Sequence, residues 1–288
     1  MSTIESIFLI GFLVATMLSF GLSLAVHEIL EPLRDLRLVM LMMLLNFILA
    51  PGFALLLTRL IPLERGYAAG LLLLGTAAGA PFLPHLAKVA RCDLHLAVAS
   101  VLFLTAGTLF FMPIALPLMV PGLNADAWQI TRPLLLMIVL PLAFGMVAKV
   151  IFVDAARAIA PPLSKLGTLC LVLLSVLLVI HNAREFLALI GTGAISVMLL
   201  HIGMLAAAGW LLGIWKPEAK GILCLGAGAR NFGAAFVPAS GLHDPNVTSV
   251  LTASAIVSVL GLFPLAGWMR QSTAPAQSTA KVSEDKSP

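Results

Sequence analysis

The chain has 288 residues, 60% of them hydrophobic and only 10% charged, and its mean hydropathy is +1.08. Soluble domains carry about 25% charged residues, so a water-soluble globule is excluded and an all-α polytopic membrane protein is indicated. The formal charge of +4 does not point to nucleic acid, because the basic residues lie in short stretches between apolar runs.

Runs of about 20 apolar residues predict nine spans, near 5–25, 37–59, 67–88, 95–120, 131–152, 164–182, 187–213, 218–240 and 247–269. They make one transmembrane domain over residues 1–270, followed by a polar, Pro/Ser-rich tail at 271–288 that is expected to be disordered. The opening MSTIESIF lacks the basic region of a signal peptide, so the first run is expected to stay as a span. The second span places a lone amide, Asn46, in LLNFILAPG, which suits either interhelical hydrogen bonding or a ligand contact. In the third, LLLLGTAAGAPFLPH, Gly75, Gly79, Pro81 and Pro84 forbid a continuous regular helix. His85 follows that break and can serve as a proton carrier or as a neutral imidazole bonded across helices. Thr105 and Thr108 put hydroxyls on the fourth span, although a hydroxyl bonding back to its own helix is the commoner case. For His201, deep in the seventh span, a cross-helix bond is the favoured reading.

The eighth span holds the sharpest feature. Its centre, GAGARNFG, packs Gly226, Gly228 and Gly233 around Arg230 and Asn231. Each glycine weakens a helix by roughly 1 kcal/mol against alanine, and a mid-membrane arginine costs about 2.5–3.5 kcal/mol even on a lenient scale. Every Asp and Glu falls in a predicted loop, span edge or terminus, so the counter-charge of Arg230 is expected to be a bound anion, a set of carbonyls or neutral polar groups. Two interrupted spans, the third and the eighth, are the sequence pattern of a secondary transporter's site. Ten Lys and Arg in one set of loops against four in the other predict an external N-terminus and a cytoplasmic C-terminus.

Several segments carry a family resemblance in order: FGLSL near Phe20, LLNFILAP at 44–51, GTAAGAPFLPHLAKVARCD at 75–93, LPLAFGMVAKV at 140–150 and GAGARNFGAAF. Through them the chain resembles the bile acid:sodium symporter family, as a bacterial member lacking that family's first helix. The resemblance implies two inverted repeats, a core domain facing a panel domain, and a site where two unwound helices cross, here spans three and eight. It also implies sodium ligands that this chain has largely lost. Gly226 and Arg230 stand where the family often has Glu and Gln, Leu83-Pro84 replaces a Ser-Asn pair, and Asn46 matches a glutamine. A sodium ion 4 Å from an arginine is repelled by about 4 kcal/mol at an effective dielectric of 20, so sodium is possible but not favoured, and no other metal or cofactor is expected.

The expected function is alternating-access transport of a small organic anion, carboxylate-bearing or bile-acid-like, at a bacterial inner membrane. Candidate substrate contacts are Arg230, Asn231, Asn46, Gly79, Ala80, Pro81, His85, Thr105 and Thr108, with Gly226, Gly228, Gly233 and Pro84 shaping the crossover backbone. Arg230 either meets the substrate or substitutes for a cation. The rivals are a metalloid efflux carrier, for which Cys92, Cys170 and Cys224 are poorly placed, and a transport-inactive binding protein. An intramembrane enzyme is not indicated, because neither a GxSG serine nor paired Asp-rich motifs occur. Oligomeric state is left open.

Overall fold

The computed structural model describes residues 3–120, 128, 132–133, 135–239, 242 and 244–272. Residues 131 and 134 of the predicted fifth span and the tail from residue 273 therefore lie outside the described residues. Among the described residues every regular element is helical, and six helices are long and apolar enough to cross a membrane. A shorter apolar helix covers Leu135–Ile151.

Three elements form a thin layer. Helix α1 (Thr3–Ser23) packs most heavily against the long helix Val153–His181 and against Leu140–Ile151. Small residues permit the approach: a Cβ placed on Gly21 would come within 2.9 Å of the Met146 nitrogen, and one on Gly145 within 2.6 Å of the Leu18 carbonyl. With hydrocarbon outside, such close backbone packing replaces a hydrophobic driving force. The helix Val153–His181 starts well before the predicted span and carries Pro161 and Pro162 inside it. Both prolines are exposed, on a side where a lost backbone bond does not strand a buried carbonyl.

The remaining helices form a larger bundle. One long rod runs from Leu36 to Leu60, α-helical at both ends with a π-helical turn at Leu44–Leu49. Asp35 starts it by accepting from the Arg37 and Leu38 amides at 3.0 and 3.2 Å, and Asp93 starts Leu94–Met119 in the same way. Helices Ala194–Leu212 and Pro245–Ser272 complete the long members. Gly209 on the first of these lies on the backbone of Leu223 and Cys224, with Cα of Cys224 only 2.7 Å from where a Cβ would stand.

Two predicted spans are not single helices. The first is split into Arg65–Thr76 and Leu83–Ala90, and the second into Lys220–Gly228 and Phe232–Ala239. The breaks are therefore at 77–82 and 229–231. Pro84 sits in the first turn of its half-helix, where a missing N–H costs nothing. Gly226 and Gly228 remain helical and Gly233 belongs to the next half-helix, so the second break is tighter than the glycine spacing suggests.

The Gly209 contact sets a first test. Gly209→Val is expected to destabilise the protein by about 1–3 kcal/mol through backbone overpacking, read as a lower melting temperature. Gly203→Val on the same helix, with nothing within 4 Å of its Cβ position, is expected to leave it unchanged.

Candidate functional site

The ends of the half-helices explain the site. A helix that stops inside hydrocarbon leaves its last four carbonyls without partners and without water. Thr76 meets this need for Arg65–Thr76 by bonding the Leu73 carbonyl at 2.9 Å. Arg230 reaches two more. Its Nε donates to the Leu74 carbonyl at 3.0 Å and its Nη2 to the Gly75 carbonyl at 3.0 Å. Nη1 donates to Asn46 Oδ1 at 2.8 Å and to the Ala227 carbonyl, near the end of Lys220–Gly228, at 3.5 Å. One guanidinium thus rests on the C-terminal carbonyls of two half-helices, where a cation is electrostatically favoured. Arg230 is 1% exposed, and the oxygens it donates to, three carbonyls and one side-chain amide, are all neutral.

Asn231 joins the two breaks. Its backbone N–H donates to the Ala77 carbonyl at 3.0 Å and its Nδ2 to the Gly79 carbonyl at 3.2 Å. Its Oδ1 accepts from the Ala234 amide at 3.1 Å, starting Phe232–Ala239. Gly79 has φ +79°, a conformation glycine adopts freely, and Thr105 crowds it at 2.6 Å from a Cβ position. Thr105 donates to the Gly79 carbonyl at 3.3 Å, while the Thr108 hydroxyl accepts from the Ala78 amide at 3.1 Å. Both threonines therefore tie down the first break rather than their own helix.

The two half-helix N-termini face the other way, into a cavity of about 320 Å³ between the thin layer and the bundle. Its floor is Pro81, Phe82, Asn231, Phe232 and Gly233; its walls come from Leu9, Phe12 and Leu13 on α1, Leu174 and Leu178 opposite, and Ile256. The Phe82 and Phe232 rings stack at 6.2 Å, 10° from parallel.

Of the sequence candidates, Arg230, Asn231, Pro81 and Gly233 border this cavity. Asn46 lies behind Arg230 in the π-turn and also donates to the Met42 carbonyl at 3.1 Å. Ala80 is buried and caps the turn into Leu83–Ala90 through its carbonyl. Gly226 faces Leu83, whose Cδ2 is 3.2 Å from a Cβ position, and Gly228 faces Leu262. His201 Nε2 pairs with the Ala50 carbonyl at 3.0 Å. His85 is away from the cavity floor, and neither of its ring nitrogens has a hydrogen-bond partner. The cavity walls carry no sequence signal, being leucines and phenylalanines like those that face lipid. Cys92 presses on Gly221, one turn from Cys224, while Cys170 lies on another helix.

Apolar spans gathered around two interrupted, mutually bonded helices define an integral membrane protein of transporter-like build. The chain belongs to the sodium bile acid symporter family, whose model matches residues 10–189. That stretch includes Asn46, the first break, Thr105 and Thr108, and ends before Arg230. No curated protein matches the chain. The sodium in the family's name does not fit the oxygens at this crossover. The Leu74, Gly75 and Ala227 carbonyls and Asn46 Oδ1 all accept from Arg230, and no cluster of three or more His, Cys, Asp or Glu that could hold a metal occurs among the described residues.

Removing the guanidinium takes the donor from the Gly75 carbonyl and Asn46 Oδ1, while the Leu74 carbonyl keeps the Ala77 amide. Arg230→Gln is expected to cost about 1–3 kcal/mol through buried acceptors left unsatisfied, read in thermal melts of the purified protein. A variant of wild-type stability would show that the carbonyls do not depend on Arg230.

Proposed function

We propose that the protein is a secondary transporter for a small organic anion with an apolar body, working by alternating access. The three-helix layer is the panel, and the bundle holding the two broken helices is the core. Counting each broken helix as one span gives nine, with an external N-terminus and the bacterial inner membrane as its place. The observation that carries the reading is the cavity between panel and core: apolar walls for the body of the substrate, and two helix N-termini at its floor for a carboxylate. Arg230 contributes positive potential behind that floor as a built-in cation, and Asn231 holds the floor in shape. Uptake of labelled cholate into proteoliposomes is the test. Wild-type protein is expected to accumulate the probe above empty vesicles, and Leu174→Trp, which fills the cavity, to abolish uptake while keeping the melting temperature. Saturable binding without uptake would favour a transport-inactive binding protein instead.

Sodium is not the coupling ion in this proposal, because Arg230 takes the oxygens a cation would use. Melts in sodium and in choline at equal ionic strength are expected to coincide. The double change Gly226→Glu with Arg230→Gln is expected to make stability depend on sodium, since the site then holds a carboxylate and a cation is needed in place of the lost guanidinium; a Cβ at Gly226 meets only the flexible end of Leu83. Saturable, sodium-specific stabilisation of the wild type would refute this part.

A further inference from the structure

The gap between the three-helix layer and the bundle is open along only part of its length. On α1 the cavity is bordered by Leu9, Phe12 and Leu13, and on Val153–His181 by residues from Leu171 to Ile180. Moving seven residues along each antiparallel helix, from Leu13 to Phe20 and from Leu171 to Ser164, travels about 10 Å and reaches a different contact. There the half-helix Leu83–Ala90 closes on the layer. His85 packs edge-on against Phe12 and Phe20, with ring centroids 5.6 and 6.5 Å away. Lys88, one turn further, lies over the Phe20 ring at 5.2 Å and donates to the Ser164 hydroxyl at 2.9 Å.

His85 is the odd member of this contact. It is 6% exposed, yet neither ring nitrogen has a hydrogen-bond partner, which a buried polar group does not tolerate without cost. We propose that His85, Phe20 and Lys88 form the latch that holds one end of the layer–bundle gap shut, and that the unpartnered imidazole of His85 keeps this closed state easy to leave. Closing gains the aromatic contacts and the Lys88–Ser164 bond. Opening lets water reach both ring nitrogens. The two states are thereby brought close in free energy, which a gate requires if ligand binding is to shift it. Phe12 belongs to both regions, bordering the cavity and touching His85, so a ligand in the cavity bears directly on the latch.

This inference rests on the alternating-access reading, and its test is separable from it. Spin labels are placed in protein whose Cys92, Cys170 and Cys224 are replaced by alanine, reconstituted in lipid nanodiscs. One pair, Arg91→Cys with Lys165→Cys, reports the latched end; the other, Arg65→Cys with Arg184→Cys, reports the opposite end. All four sites are exposed. His85→Phe removes the unsatisfied nitrogens and is expected to leave a single short distance at the latched end, losing any longer population of the parent. Phe20→Ala is expected to do the reverse, lengthening the latched-end distance while shortening the other. Lys88→Ala, on the surface, is expected to follow Phe20→Ala more weakly. Reciprocal movement at the two ends is what a merely misfolded variant would not give. Unchanged distances in all three variants, or both pairs lengthening together, would overturn the latch. Reciprocal distances combined with failed cholate uptake would instead sink the transport reading and leave the latch standing.

Discussion

Two helices that end in the middle of a bilayer present a problem in one place: a cluster of carbonyls with no water and the negative ends of two dipoles. Arg230 answers both at once. Its planar fork reaches the Leu74 and Gly75 carbonyls of one half-helix and the Ala227 carbonyl of the other, and Asn46 completes the set. A lysine, with a point charge on a flexible stem, has no comparable geometry. The rest of the centre depends on this arrangement. With the C-terminal ends neutralised on one side, the half-helix N-termini are left on the other, where they join Asn231 at the floor of a cavity with mostly apolar walls.

The molecule is held together by two different kinds of contact. Within the bundle, the breaks are stitched by specific hydrogen bonds from Thr105, Thr108 and Asn231, which fix the half-helices to their neighbours. The thin layer combines close backbone approach at Gly21 and Gly145 and apolar side chains with a few hydrogen bonds, such as Ser19 to the Ala160 carbonyl and Lys149 to the Ser23 carbonyl. Between the two groups, the Lys88–Ser164 bond lies beyond the cavity, whose own walls are mostly apolar side chains. The bundle is therefore built to keep its shape, whereas the boundary between layer and bundle is built from contacts that can be exchanged without stranding backbone groups.

Much of this was legible in the sequence because membrane physics writes it there. Apolar run length gave the long helices, and Gly79 with Pro81 located the first break. Arg230 stood out because no lipid-facing position tolerates it. The limits are equally physical. Glycine permits a break without requiring one, so Gly226 and Gly228 stayed helical while the chain turned at Ala229. Prolines on an exposed surface did not stop the helix that runs through Pro161 and Pro162. The partnership of Asn46 with Arg230 spans 184 residues, a separation at which no local pattern operates. The cavity wall was invisible because leucine and phenylalanine serve equally well against lipid, a neighbour helix or a ligand. Thr105 and Thr108 were recognised as polar, but their role in tethering the first break depends on a packing arrangement that only three dimensions reveal.

A charge attached covalently to the chain never dissociates into either compartment. In the proposed cycle, Arg230 takes at the crossover the electrostatic place of a bound ion, and it is not exchanged. An ion that is picked up on one side and released on the other is worth about 1.4 kcal/mol for each tenfold difference in its concentration. A guanidinium fixed in the polypeptide contributes none of that work. In the proposed transport cycle, this position would lower the barrier to moving a cargo without drawing on an ion gradient to set the direction of movement.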